Sequence, residues 1–235
     1  MDKFKSREAL VQYRNSLVAV RREKKKQIIS LCAGSGCGAY GTAKVYEALA
    51  QELVNQGIHD KVEVKLTGCH GFCEKGPIMV IHPEGIFYPQ VKAEYVKEIV
   101  EKTIIKGELI NKRIYKDPIS KKKIPYEKDI TFYKLQKRII FGGNGLIDPT
   151  SIDDYIANGG YGALEKALFN LDPDTIIEEI KTSALRGRGG GGFPTGIKWA
   201  TAKRHEGSRY VICNADEGDP GAYMDRSLLE GTPTA

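Results

Sequence analysis

The chain has 235 residues, of which 41% are hydrophobic and 28% charged, and a formal net charge of +6. That length supports one or two ordinary cores, and two domains suit it better than one. No apolar run approaches the roughly twenty residues that cross a bilayer, so no membrane insertion is expected.

The charge is uneven along the chain. Residues 1–130 hold 24 Lys and Arg against 16 Asp and Glu, whereas residues 131–235 hold 12 against 14. Residues 1–26 read as an N-terminal helix, with Leu10, Val11, Leu17, Val18 and Val20 spaced for one face and the run Arg21, Arg22, Lys24, Lys25, Lys26 at its end. A lysine-rich start is unlike a secretory leader, so a reducing cytoplasm is the expected compartment. The basic run lacks interleaved aromatics and any reading module, so a solvated face is expected rather than nucleic-acid binding.

Gln27–Leu31 reads as a short strand that runs into Cys32-x4-Cys37. Thr42–Asn55 follows with helical spacing at Val45, Leu49 and Leu53, and Gly57 as a stop. Val62-Glu-Val-Lys-Leu66 alternates as a half-buried strand does and delivers a second pair, Cys69-x3-Cys73. Ile78–Ile81, a turn at Pro83-Glu-Gly85 and Ile86–Tyr88 read as a hairpin, and Lys92–Lys106 as a closing helix.

Four thiols in two close pairs suit soft metal chemistry. Structural zinc knuckles are usually tighter, and gaps of four and three residues can spread the sulfurs over the two irons of a [2Fe–2S] cluster, one pair to each. Gly34, Gly36, Gly38 and Gly41 interleave the first pair, while Gly68, Gly71 and Gly76 bracket the second. Such glycines let backbone approach inorganic sulfide and donate N–H groups to it. A zinc-stabilised interaction domain and a pair of disulfides stay open at this point. The order β-α-β-β-α is that of a small thioredoxin-like domain.

Residues 107–131 read as a basic linker containing Lys121, Lys122, Lys123, Pro118 and Pro125. Beyond it, Asp174–Leu185 is helical in period and leads into Arg186-Gly-Arg-Gly-Gly-Gly-Gly-Phe-Pro-Thr-Gly-Ile-Lys-Trp199. This run satisfies G-x-G-x-x-G formally, but a dinucleotide fingerprint follows a strand, and no Gly-Lys-Ser/Thr makes it a Walker A loop. Glycines that bring N–H groups to a phosphate or flat ring, flanked by cations and one aromatic, still describe a cofactor cradle more closely than a flexible linker. Tyr210–Cys213 reads as a short apolar strand, with Asn214, Asp216, Glu217 and Asp219 at its carboxyl end, where α/β folds place ligands. Cys213 has no partner at ligand spacing and reads as a buried small hydrophobe. His59, His70, His82 and His205 are isolated in sequence, and His70 is not needed as a Rieske-type ligand beside four cysteines.

Residues 27–106 resemble the thioredoxin-like [2Fe–2S] ferredoxin domain of complex I and of related hydrogenase and formate dehydrogenase flavoprotein subunits. The pattern C-x4-C … C-x3-C is met by Cys32, Cys37, Cys69 and Cys73. Residues 132–235 resemble the first part of the FMN- and NADH-binding domain of the complex I flavoprotein subunit, and Asn-Ala-Asp-Glu-Gly-Asp-Pro-Gly-Ala is closer to its soluble hydrogenase and formate dehydrogenase relatives. The resemblance implies an α/β protein: a thioredoxin-like [2Fe–2S] domain followed by part of an α/β FMN/NADH-binding domain.

It further implies that the four cysteines hold the cluster. Gly187, Arg188, Gly189, Gly190 and Gly192 would cradle FMN, and Lys198 would contact its phosphate or ring. Asn214, Asp216 and Glu217 would hold the flavin, while Phe193 and Asp219 would face NAD(H). Thr201 departs from members with an aromatic nucleotide contact there. Relatives continue past Gly231-Thr-Pro-Thr-Ala235, so weak or absent flavin binding by the isolated chain is expected. The implied activity is NADH-linked electron transfer through FMN and a [2Fe–2S] cluster, with other subunits of a multi-subunit oxidoreductase as partners. The alternative is an electron-carrier module that docks on a larger dehydrogenase without flavin catalysis of its own.

Overall fold

The computed structural model describes residues 4, 6–24 and 26–231. Lys25 of the basic run and residues 232–235 lie outside them, as do the side chains of Arg22, Glu23 and Lys24. The chain divides into two units, one from residues 12–158 with those from 216 onward, the other from residues up to 11 with 159–215.

The first unit is built on a four-stranded sheet in the order β2-β1-β3-β4. β1 (Gln27–Cys32) and β2 (Val62–Thr67) pair in parallel, with Gln27 opposite Val62 and Cys32 opposite Thr67. β3 (Met79–His82) is antiparallel to β1, and β4 (Ile86–Tyr88) is antiparallel to β3. A parallel pair needs a long crossover, here supplied by α2 (Ser35–Ala39) and α3 (Thr42–Asn55). α3 starts after Gly41, whose φ of +96° suits glycine, and buries Val45, Leu49 and Leu53 along one stripe.

Side chains alternate across a strand, and this sheet is covered on both faces. Ile29 and Leu31 of β1, Met79 and Ile81 of β3, and Ile86 and Tyr88 of β4 join the core under α3 and α4 (Ala93–Ile99). Ile78, Val80 and Phe87 belong to a second cluster with Cys32, Cys37, Tyr115 and Ile130. Each fully buried Ile, Leu or Phe contributes roughly 2 kcal/mol.

Residues 107–131, expected as a linker, are therefore packed. Ile110 and Ile114 join the first core, while Tyr115 and Ile130 join the second. They carry the hairpin of β5 (Tyr115–Lys116) and β6 (Lys123–Ile124), and the Phe87 and Glu127 amides bond to the Pro125 and Gly85 carbonyls. The closing helix also differs in detail, since α4 passes into a π-helical stretch over Val100–Ile105.

Later residues of this unit form α5 (Thr131–Lys134), α6 (Ile152–Ala157) and α10 (Met224–Gly231). Asp154 of α6 is buried; its carboxylate takes Lys65 Nζ at 2.7 Å and the Asp148 amide at 2.9 Å, and pairs with Arg21 of α1 (Arg7–Lys24).

The second unit contains α7 (Gly162–Asn170), α8 (Pro173–Thr182) and α9 (Thr195–Arg204). Asp172 caps α8, accepting from the Asp174 and Thr175 amides at 2.9 and 3.0 Å, ahead of proline at the first helical position. Gly196 lets α9 approach α8, for a Cβ there would stand 2.6 Å from Lys181 Cγ. The helix expected over Asp174–Leu185 stops at Thr182, and Ala184 takes a positive φ of 54°.

Tyr210–Cys213 is not a strand. It is irregular and exposed, Val211 at 96%, and Cys213 is exposed rather than buried. A strand at the centre of an α/β sheet needs neighbours to take its N–H and C=O groups, and among the described residues from 131 onward no strand is formed. None of the helices among the described residues is long and apolar enough to cross a membrane.

Candidate functional site

Parallel pairing puts the carboxyl ends of β1 and β2 side by side, so both cysteine loops leave the same end of the sheet. Cys32 and Cys37 are buried at 1% exposure each, Cys69 is half-buried and Cys73 exposed, all as free thiols. Cys69 Sγ and Cys73 Sγ are 3.7 Å apart. Two thiolates on one tetrahedral metal at 2.3 Å bonds would stand about 3.8 Å apart.

The loops interlock through glycines. A Cβ on Gly34 would meet Cys69 Cβ at 2.9 Å, one on Gly36 would meet Cys73 Sγ at 3.3 Å, and one on Gly76 would meet Cys37 Sγ at 2.6 Å. Each loop thus presses a bare Cα against a cysteine of the other. Thr42 Oγ1 lies 2.9 Å from the carbonyl oxygens of both Cys32 and Cys37, which ties the first loop to the start of α3. The Gly71 amide donates to Cys69 Sγ at 3.2 Å.

Crowding sets the acidities. Hydrogen bonding with Cys37, with burial added, pushes the Cys32 thiol up to about 12, and contact with Cys32 followed by burial pushes Cys69 up as well. Burial raises Cys73, while the hydrogen bond from Cys32 lowers Cys37. A set of thiols this close cannot ionise together until a cation takes up the charge. Donor chemistry, glycine approach and N–H donation all fit an iron–sulfur cluster.

His70, isolated in sequence, is enclosed here at 1% exposure. Its Nε2 lies 2.9 Å from Thr67 Oγ1 and its Nδ1 3.5 Å from Glu127 Oε1. Three residues that sequence reasoning does not single out, Phe132, Arg138 and Asn144, lie against the second cysteine loop: Arg138 donates to the His70 carbonyl and Asn144 to that of Cys69. No spacing signal exists for them, since Arg138 and Asn144 act 68 and 75 residues away from their partners.

In the second unit, Gly187, Arg188, Gly189, Gly190, Gly192 and Phe193 form a loop between α8 and α9, and Lys198 stands exposed on α9. The loop is closed at its base by the Gly187 amide bonding to the Phe193 carbonyl at 2.9 Å and the Thr195 amide to the Leu185 carbonyl at 2.9 Å. Gly190 and Gly192 have φ of +96° and +60°, and a Cβ on any residue from Gly189 to Gly192 would meet nothing within 4 Å. Phe193 is 56% exposed. Asn214 is exposed in the irregular stretch of this unit.

Asp216, Glu217 and Asp219 belong to the first unit. Glu217 takes a φ of +49°, and its carboxylate accepts from the Asp225 and Arg226 amides at 2.6 and 3.0 Å. That is the position of an anion at the amino end of α10. The Asp219 carbonyl accepts from the Ala222 amide at 3.0 Å in a turn, and Asp216 is exposed.

Comparison with known proteins agrees with both halves. Residues 18–104 match the thioredoxin-like [2Fe-2S] ferredoxin family and residues 180–235 the Nuo51 FMN-binding domain. The NADP-reducing hydrogenase subunit HndC of Solidesulfovibrio fructosivorans is 53% identical over 104 residues, 44% of this chain and 21% of that protein. An NADH-quinone oxidoreductase subunit of Aquifex aeolicus is 57% identical over 83 residues, 35% of this chain and 19% of that protein. The chain thus spans about a fifth of the length of these relatives in the matched stretch. A solved thioredoxin-like [2Fe-2S] ferredoxin from Aquifex aeolicus covers 40% of this chain and 99% of its own at 26% identity, with a TM-score of 0.37. In these two stretches the chain is thus similar to complex I-type flavoprotein subunits, residues 18–104 to thioredoxin-like [2Fe-2S] ferredoxins and residues 180–235 to the Nuo51 FMN-binding domain.

Proposed function

We propose that the chain passes electrons between NAD(H), FMN and a [2Fe–2S] cluster, as part of a multi-subunit oxidoreductase in the cytoplasm. The observation that carries this reading is the interlocked set of Cys32, Cys37, Cys69 and Cys73 at one end of the sheet, in a chain that also carries Nuo51-type sequence. Gaps of four and three residues between the paired thiols also occur in zinc sites, so what favours sulfurs shared between two irons is the match of residues 18–104 to thioredoxin-like [2Fe-2S] ferredoxins. We assign residues 27–106 to the ferredoxin domain and residues 132–235 to part of the FMN/NADH-binding domain, with 107–131 completing the second face of the sheet.

A flavin takes a hydride as two electrons and returns them singly, which is the chemistry that joins a nicotinamide to a one-electron cluster. The chain's residues supply the positions. The four cysteines hold the cluster, and the Gly71 amide donates to one of its sulfur ligands. Gly187, Arg188, Gly189, Gly190, Gly192 and Lys198 offer open backbone and positive charge to an anionic cofactor; the resemblance alone assigns Phe193 and Asp219 to the nucleotide and Asn214, Asp216 and Glu217 to the flavin. Glu217 being engaged at α10 is the observation that favours the second reading, a cluster module that carries electrons without flavin of its own.

An anaerobic absorption spectrum of the 235-residue chain, with iron, acid-labile sulfide and FMN measured on the same sample, tests both. Two irons and two sulfides with bound FMN support the first reading, and the same metal without flavin supports the second. Zinc in place of iron overturns both.

A further inference from the structure

The loop between Cys69 and Cys73 has three residues and no strand partner to fix its peptide planes. One of those planes matters more than the others. The peptide joining His70 to Gly71 carries the carbonyl of His70 at one edge and the amide of Gly71 at the other, and these two groups rotate together. Its amide donates to Cys69 Sγ at 3.2 Å, while its carbonyl accepts from Arg138 Nη2 at 2.6 Å.

The guanidinium is itself held. Arg138 Nε donates to Gln136 Oε1 at 3.1 Å, and the group stands 5.3 Å from the centroid of the Tyr133 ring. Close packing closes the loop from the same side: a Cβ on Gly71 would meet Arg138 Nη2 at 3.3 Å, and Phe132 stacks on Phe72 with centroids 4.4 Å apart. The preceding carbonyl, that of Cys69, is taken by Asn144 Nδ2 at 3.1 Å. Gly71 sits at a φ of +83°, a conformation open to glycine and strained for other residues.

We propose that Arg138 is a positioning residue for the cluster: it grips the carbonyl edge of the His70–Gly71 peptide so that the amide edge stays on the Cys69 sulfur, with Asn144 bracing the neighbouring carbonyl. The proposal rests on the cluster reading above. A cation on a carbonyl also polarises its peptide and strengthens the donor at the far edge. Donation to a ligand sulfur disperses negative charge and favours the reduced cluster. Arg138 therefore raises the cluster's midpoint potential and slows its loss.

The test uses the full chain, reconstituted anaerobically, with two readouts that need no NADH or flavin: a redox titration followed by EPR of the reduced cluster, and the rate of bleaching by an iron chelator. Arg138→Met should lower the midpoint potential and speed cluster loss about tenfold, the lower range for a residue that orients a metal ligand. Gln136→Ala, which frees the guanidinium and also removes the Gln136 Nε2 bond to the Phe132 carbonyl, should move both readouts the same way by less. Lys134→Gln removes an exposed charge from the same segment and should move neither. Should Arg138→Met fail to fold, Gln136→Ala decides. The proposal is overturned if the loaded variants at 136 and 138 match the wild type, or if Lys134→Gln shifts the potential as far as Arg138→Met. A wild type that takes up no iron and sulfide instead overturns the cluster reading on which it rests.

Discussion

The end of the sheet that bears the cysteines and the glycine-rich loop between α8 and α9 are both made of glycine and short polar turns, yet they differ in what surrounds them. At the cysteine end, glycines are required by contact: Gly34, Gly36 and Gly76 each stand where a Cβ would press on a cysteine of the opposite loop. In the other loop, a Cβ on Gly189 or Gly191 would meet nothing, and the glycines are required only where φ is positive, at Gly190 and Gly192. The first site is finished by its own fold, since parallel pairing of β1 with β2 is enough to bring both loops together. The second offers open backbone and charge that gain their purpose only when a cofactor lies against them.

The largest effects should come from the first site. Changing any one of Cys32, Cys37, Cys69 or Cys73 to Ala should abolish or severely damage the visible spectrum of the reconstituted chain, whereas Cys213→Ala, in the exposed stretch, should leave iron and sulfide unchanged. A chain bleached by Cys213→Ala alone would overturn the ligand assignment. Next comes the support beneath that site. Asp154 holds Lys65 of β2 and Arg21 in a buried ion pair, with the Lys65 and Asp154 side chains 7% and 8% exposed. Asp154→Ala leaves the lysine without its main partner and should cost about 3 kcal/mol, read as a fall in the denaturation midpoint. Equal midpoints for variant and wild type would mean the pair is solvated.

Glycine replacements sharpen the contrast directly. Gly76→Ala puts a methyl 2.6 Å from Cys37 Sγ, and relief of that overlap should cost about 1–3 kcal/mol and slow cluster assembly. Gly189→Ala meets no neighbour and should change stability by less than about 0.5 kcal/mol. The comparison fails if the two substitutions cost the same. Flavin titration of the Gly189→Ala chain adds a further reading, because a methyl on open backbone harms only what would lie against it.

What the sequence made legible follows the same division. The Val62–Leu66 alternation, the stripe of Val45, Leu49 and Leu53, and the two cysteine spacings are local patterns, and each carries its own physical reason. Residues 107–131 have no period, because Ile110, Ile114, Tyr115 and Ile130 fill gaps in two cores at irregular intervals. Arg138 and Asn144 act on backbone far away in the chain, which no spacing rule reaches. Tyr210–Cys213 has the composition of a strand, but a strand is a property of pairing, and the described residues around it provide no pairing edge. The roles read for Asp216, Glu217 and Asp219 from resemblance have no local pattern of their own, and in this fold the Glu217 carboxylate accepts from the Asp225 and Arg226 amides at the start of α10.

The smallest predicted effect concerns His82, at the end of β3. Burial lowers its pKa below the ordinary value of about 6.5, and its Nε2 has no hydrogen-bond partner among the described residues. Nearby Glu127 and Glu84 pull the other way, while His70 and Lys65 add to the lowering. A histidine kept neutral in the fold but free to protonate when unfolded binds more protons in the unfolded state, so stability rises with pH through this window. Its contribution is complete above about pH 6.5 and is lost as pH falls through the lowered value of the folded chain. His82→Gln should therefore flatten the dependence of the denaturation midpoint on pH between about 7 and 5 while leaving the value at pH 8 close to wild type. A slope unchanged by the substitution would place the acid sensitivity of the sheet elsewhere, with the cysteine loops and their carboxylate neighbour Glu127 the next groups to vary.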